Sequence, residues 1–335
     1  MRLTLAGCLC LSLARCAVAE PAVSWQDTDA AAIAWATPVS REVQAYCRSQ
    51  RPTAVMVVQD DRVIAGCGDK GKRVNVHSVR KSLLSALYGI AISEGRISLS
   101  STIAQLGIDD KPPSLTEAEK QAAVRDLLMA RSGIYHPAVY ETSDIRQNRP
   151  TRGSHAVGTF WFYNDWDFNA LGTIYRQATK EDIFQSFAQR IARPIDMEDF
   201  SSRDGQYVLE GSSIHPAYPF TMSARDLARF GLLFLNGGRW NASQVVPAEW
   251  VTESTAAQSQ TDRRARYGYL LWWALPSEEW GAGAFMAPGY GGQTIVVIPS
   301  RHLVAVETVD LRQNTKGIKT RSFLDLLRKI AAIAR

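Results

Sequence analysis

The sequence predicts an α+β fold: a mainly antiparallel sheet built from both chain ends, flanked by helices, with a helical lobe inserted at about residues 100–246. Three observations carry this. A β-hairpin pattern stands near the front, a series of strand patterns follows Trp250, and the intervening chain reads mainly as helices and loops. The length of 335 residues, with 46% hydrophobic and 21% charged residues, suits one large globular unit with a substantial core.

Residues 1–19 read as a secretory signal: Arg2, an apolar run from Leu3 to Leu13, and Ala17-Val18-Ala19 as a small-x-small cleavage site before Glu20. Residues 20–335 are then the mature protein, expected to be periplasmic or secreted. A lipobox-like Leu5-Ala6-Gly7-Cys8 has too short an apolar core before it. Loss of Arg2 and Arg15 lowers the formal charge from +5 to +3, which is no nucleic-acid footprint. No later apolar run is long enough to span a membrane. Of five cysteines, Cys47 and Cys67 remain after cleavage, and the sequence leaves open one bridge or two free thiols.

In chain order, a helix is predicted around Arg41 to Arg48. It is followed by the strands Ala54-Val55-Met56-Val57-Val58 and Val63-Ile64-Ala65-Gly66-Cys67, turning at Asp60-Asp61. Next comes a helix opening at Ser78, with apolar residues at Val79, Leu83, Ala86, Leu87, Ile90 and Ala91 and a stop at Gly95. The lobe offers helices at Asp126 to Arg131, Ala170 to Ala178, Ile183 to Ile191 and Ala224 to Leu235. Strands are predicted at Tyr267 to Ala274, Gly281 to Met286, Thr294 to Ile298 and Leu303 to Thr308, and a basic amphipathic helix runs from Gly317 to the end.

Chemistry concentrates on Ser78-Val79-Arg80-Lys81. Residues three apart lie on one helix face, so a lysine amine rises beside a serine hydroxyl at a helix N-terminus whose free N–H groups favour negative charge. Alone, this spacing is more often an N-cap followed by a solvated lysine. Here it occurs once in the chain, on a helix too apolar for the surface, where a lysine needs a reason.

Two distant stretches can complete such a site. Within Phe160-Trp161-Phe162-Tyr163-Asn164-Asp165-Trp166-Asp167-Phe168-Asn169, Tyr163 is the sharpest proton-relay candidate, a phenol whose pKa a nearby ammonium would lower. In Gly289-Tyr290-Gly291-Gly292-Gln293, glycines let backbone approach a bound carbonyl and leave the Gln293 N–H to donate. Taken singly, the first is equally an aromatic core plug and the second an ordinary glycine turn.

Together, Ser78-Val79-Arg80-Lys81, Tyr163-Asn164-Asp165 and Tyr290-Gly291-Gly292 resemble the serine β-lactamase and penicillin-binding-protein superfamily. The likeness is greatest to its class C-like branch, which includes esterases and 6-aminohexanoate-oligomer hydrolases. Met129 to Ile134, Arg152 to His155 and Thr221 to Gly231 are similar to further segments of that branch. The resemblance implies a β-lactamase/transpeptidase-like fold with Ser78 as acylated nucleophile, Lys81 as base, Tyr163 as relay, and Ser78 and Gln293 N–H groups as oxyanion hole. It implies no metal or organic cofactor, and a small ester or amide as partner.

Two departures matter. Penicillin-recognising members carry Lys-Thr-Gly where this chain has Tyr290-Gly291-Gly292, so no cation awaits a substrate carboxylate. Asp165 replaces the usual asparagine, and a carboxylate there is expected to hold Lys81 charged and leave Tyr163 a larger share of the deprotonation. Ser143-Asp144-Ile145 half-resembles the Ser-Asp-Asn of another branch but lies in a loop-like stretch. The alternatives are a β-lactamase or D-Ala-D-Ala carboxypeptidase, and an inactive relative that binds peptidoglycan or peptides. The absence of Gly-x-Ser-x-Gly, His-Glu-x-x-His, Walker and Rossmann motifs argues against other classes. His155 and His215 are left as cleft candidates, and the tryptophans at 161, 166, 272, 273 and 280 as core or as the wall of an acyl pocket.

Overall fold

A computed structural model describes residues 36–261 and 266–333. The expected signal segment lies outside the described residues. The chain folds around one eight-stranded antiparallel sheet. Its strands are β1 (Ala54–Gln59), β2 (Arg62–Gly68), β3 (Ser259–Gln260), β4 (Arg266–Tyr267), β5 (Trp273–Ala274), β6 (Phe285–Pro288), β7 (Thr294–Ile298) and β8 (Leu303–Thr308). Their order across the sheet is β2-β1-β8-β7-β6-β5-β4-β3. The central pairing of β1 with β8, from Ala54 opposite Thr308 to Gln59 opposite Leu303, joins the two ends of the chain as expected.

Helices cover both faces of the sheet, so these strands carry continuous apolar runs rather than alternating ones. Side chains alternate between two cores. Val55 and Val57 of β1, Val296 and Ile298 of β7, and Leu303 and Ala305 of β8 enter the core under α1 (Ala36–Gln50) and the C-terminal Thr320–Ile333 helix. Ala54, Met56, Val58, Ile295, Val297, Val304 and Val306 enter the larger opposite core. That core holds α2 (Val79–Ser93), α3 (Asp165–Thr179) and α4 (Ala224–Leu235), the last lying across β7 and β8. Cys47 of α1 and Cys67 of β2 are bridged, which settles the alternative left open by sequence and ties α1 to the sheet edge.

Several boundaries differ from the sequence reading. Tyr267 to Ala274 is a tight hairpin, because the chain reverses between β4 and β5 with Leu270 at φ +60°. The Gly281 strand begins only at Phe285, after a short Ser277–Trp280 helix. Ser143–Asn148 is helical, not loop, capped by the Thr142 side chain accepting from the Ile145 N–H. In addition, α3 starts five residues earlier than the apolar pattern suggests, because Asn164 caps it and polar Asp165, Asp167 and Asn169 occupy its buried first turns.

Candidate active site

Ser78 sits at the N-cap of α2 in αR conformation, and its side chain makes no capping hydrogen bond. The preceding His77 is held at φ +47°, a region costly for a residue with a Cβ, so the backbone reverses sharply to present Ser78. The hydroxyl instead meets Lys81 one turn on: Nζ lies 3.2 Å from Ser78 Oγ, 2.6 Å from Tyr163 Oη and 2.8 Å from Asp165 Oδ1. Lys81 is only 1% exposed, with its amine 4.5 Å from the Tyr163 ring centroid and 4.8 Å from that of Phe168.

Burial decides the electrostatics. It lowers the Lys81 pKa to about 8, against the upward pull of Asp165, and the buried Arg80 charge adds to the lowering. The expectation that Asp165 favours the charged form of Lys81 holds in direction, since its carboxylate raises the pKa, but desolvation is the larger effect and the net value lies below that of an ordinary lysine. The expectation for Tyr163 is corrected. Burial, followed by the Asp165 charge, pushes its phenol above the ordinary tyrosine range, although a hydrogen bond with Ser78 and the Arg80 charge oppose the rise. Of the two, Lys81 is the group whose neutral, proton-accepting form is the more accessible, with a midpoint at about 8.

Tyr163 is held by its neighbours. Asn164 Nδ2 donates to the Ile134 carbonyl at 2.6 Å and to Asp167 Oδ1 at 2.8 Å, and Ser132 Oγ donates to the same carboxyl oxygen at 2.6 Å. The Met129 to Ile134 segment thus locks the turn that presents the phenol, while burial raises Asp167 well above the usual carboxylate range. Ser143 does not reach this cluster; neighbouring Ile145 lines the cleft instead.

The third segment closes against Ser78 from the sheet side. A Cβ on Gly289 would stand 2.7 Å from the Val76 carbonyl and 3.2 Å from Val79 Cγ2, so glycine is what permits the contact. Gln293 is fully buried, its side-chain amide donating to the Val309 carbonyl at 2.7 Å and accepting from the Val309 N–H at 3.0 Å. Among the described residues, neither the Ser78 nor the Gln293 N–H donates a hydrogen bond within the chain. Gly291 (φ +79°) and Gly292 (φ +108°) shape the loop, and Tyr290 stands 63% exposed with its ring edge-on to His77 at 5.5 Å.

These pieces enclose a chamber of about 300 Å³ in whose wall Ser78 and Lys81 stand beside His77, Tyr140, Glu210 and Tyr290. Through Ile145 it adjoins a pocket of about 480 Å³ walled by Phe160, Trp161, Phe162, Tyr163 and Trp273. The expected tryptophan wall is therefore Trp161 and Trp273, whereas Trp166 and Trp272 are fully buried. His155 stacks on Phe160 at 3.9 Å and His215 packs against Trp166, so neither lines the chamber. His77 does, and burial together with the Arg80 and Lys81 charges lowers its pKa to about 4, leaving it neutral. Tyr140 and Glu210, also in the wall, carry no motif that sequence reasoning could have used.

The sequence matches the Beta-lactamase family over residues 39–325. The chain belongs to the Beta-lactamase family. Solved structures similar to this family member include a Bacillus anthracis protein described as a candidate 6-aminohexanoate-dimer hydrolase, at 18% identity and TM-score 0.65, covering 87% of this chain and 80% of that one. A class C β-lactamase follows at 13% identity and TM-score 0.63, covering 89% and 96%. EstCE1, a hydrolase with promiscuous acyltransferase activity, stands at 14% identity and TM-score 0.62, covering 88% and 99%. At such identities the likeness is one of fold, and it is the fold that the three sequence motifs implied.

Proposed function

We propose that this protein is a serine hydrolase that cleaves a small ester or amide through an acyl-enzyme on Ser78. The carrying observation is Lys81: a buried amine within hydrogen-bond reach of both a serine hydroxyl and a phenol, its pKa lowered toward neutrality. Ser78 Oγ attacks the substrate carbonyl carbon and its proton passes to neutral Lys81 Nζ. The tetrahedral oxyanion accepts from the Ser78 and Gln293 N–H groups. The proton then moves from Lys81 by way of Tyr163 to the leaving oxygen or nitrogen as the C–O or C–N bond breaks. Water attacks the Ser78 ester by the same route in reverse, releasing the acid and the free serine.

Tyr290 in place of a lysine leaves a substrate carboxylate without a partner, so esters and amides without that group are favoured over β-lactams or D-Ala-D-Ala peptides. We place the protein outside the cytoplasm, in the periplasm or secreted. The Cys47–Cys67 bridge supports this, since disulfides persist in oxidising compartments. The function is tested by release of p-nitrophenol from short-chain acyl esters by the wild type, Ser78→Ala and Lys81→Met. The reading expects turnover by the wild type and its loss in both variants. Turnover that survives Ser78→Ala would refute it.

A further inference from the structure

The charges around the chamber are paired or buried, with one exception. Asp165 is held by Lys81, and Glu141, its side chain 2% exposed, is paired with Arg149. Arg80, also in the wall, is 1% exposed, its guanidinium 4.4 Å from the Tyr218 ring centroid and 3.9 Å from Asp165 Oδ1. His77 is neutral. Glu210 lines the same chamber, is exposed, and has no cationic partner among the described residues. At the exposed rim of the chamber a substrate approaching Ser78 therefore meets a carboxylate that has no ion-pair partner among the described residues, the nearby Lys111 ammonium donating to the Gly211 carbonyl at 2.9 Å.

Glu210 is also positioned. The Tyr140 N–H donates to Glu210 Oε2 at 3.5 Å, a long bond, while the Tyr140 hydroxyl accepts from Asn75 Nδ2 at 2.8 Å. Asn75 Oδ1 in turn accepts from the His77 N–H at 2.9 Å, directly before Ser78. The carboxylate wall is thus coupled to the turn that carries the nucleophile. On the same chamber Tyr290 stands 63% exposed, although large aromatics are otherwise nearly all covered in this fold. An exposed phenol ring and an unpaired carboxylate lining one chamber form an arrangement that attracts a cation through both charge and π-face.

We propose that the Ser78 chamber selects esters or amides carrying an amine or quaternary ammonium group, held by Glu210 and the Tyr290 ring. This deepens the serine-hydrolase reading and rests on it. It reverses the charge preference of a site with Lys-Thr-Gly, since a carboxylate-bearing substrate would meet repulsion in place of an ion pair.

The test uses three matched thioesters of butyrate: S-butyrylthiocholine, its neutral S-(3,3-dimethylbutyl) isostere, and the S-(2-carboxyethyl) analogue, with thiol release followed by absorbance. A partly exposed ion pair together with a cation–π contact gives an expected kcat/KM preference for the cation over the isostere of about tenfold. The anion should be the poorest of the three. Glu210→Gln should remove most of the cation-to-neutral ratio, and added salt should shrink it in the wild type but not in the variant. Glu210 is exposed, so the variant should fold. If the neutral thioester is cleaved with a ratio near one, with a ratio that Glu210→Gln leaves intact, or with the anion preferred, the inference is overturned while the serine-hydrolase reading stands. If none is cleaved and Ser78 takes up no acyl group, the underlying reading fails first.

Discussion

Replacing Asp165 with asparagine should move the pH dependence of catalysis toward acid. The Asp165 carboxylate lies 2.8 Å from Lys81 Nζ and raises a pKa that burial has brought down to about 8. Asparagine keeps a hydrogen-bond acceptor but removes the charge. Neighbouring opposite charges shift a pKa by about one to three units, and the low end suits a substitution that keeps the acceptor, so the Lys81 midpoint should fall from near 8 to near 7. The base form is the neutral amine, so activity rises with pH through this midpoint in both proteins. Near pH 6.5 the neutral fraction grows from about 3% to about 24%, so the variant should be faster there by roughly eightfold. The assay is kcat/KM for a neutral p-nitrophenyl ester across about pH 5.5 to 9.5, which reports the free enzyme. An acid limb that stays in place, or moves upward, would refute the claim that a desolvated Lys81 is the base.

Three further outcomes follow from the same contacts. Tyr163→Phe should cut kcat on the order of a hundredfold or more while leaving acylation of Ser78 by a reactive probe measurable, because the phenol hands the proton on rather than activating the serine. Changing Cys47 and Cys67 together to alanine should lower unfolding stability by about 2–4 kcal/mol in denaturant titrations, as expected for a loop of this size, the bridged positions being 20 apart in sequence. Glu307 is buried in β8 and accepts from the Tyr46 hydroxyl at 2.6 Å, and burial raises its pKa from 4.5 to about 8. The folded state therefore holds a proton that the unfolded chain releases above pH 4.5, and stability is full below that value and falls as pH rises toward 8. Glu307→Gln should flatten this slope, and equal slopes in the two proteins would contradict the assignment.

The fold was readable where periodicity and burial agree. The apolar runs of β1, β7 and β8 fit a sheet covered on both faces, and the Ala224–Leu235 helix follows from its own pattern. It was less readable where tertiary contacts override local signals. The Tyr267 to Ala274 run has the composition of one strand, yet the chain turns within it, and the polar first turns of α3 look like loop until their partners Ser132 and Ile134 are in place. The geometry of Ser78, Lys81 and Tyr163 was legible because helical spacing and an out-of-place lysine are local facts. The balance of charge was not. Whether Asp165 or burial governs Lys81 depends on Arg80, Phe168 and Tyr163 closing around the amine, and residue types alone do not measure that. Glu210 and Tyr140 reach the chamber only through the fold.

The central claim is that Ser78 is the residue that becomes acylated. Its most direct test is peptide mass spectrometry after exposure to a fluorophosphonate. The account predicts one adduct, on the peptide containing Ser78, slowed in Lys81→Met and showing the same acid limb near pH 8 as turnover. An adduct on another serine, or none on native protein, would contradict it.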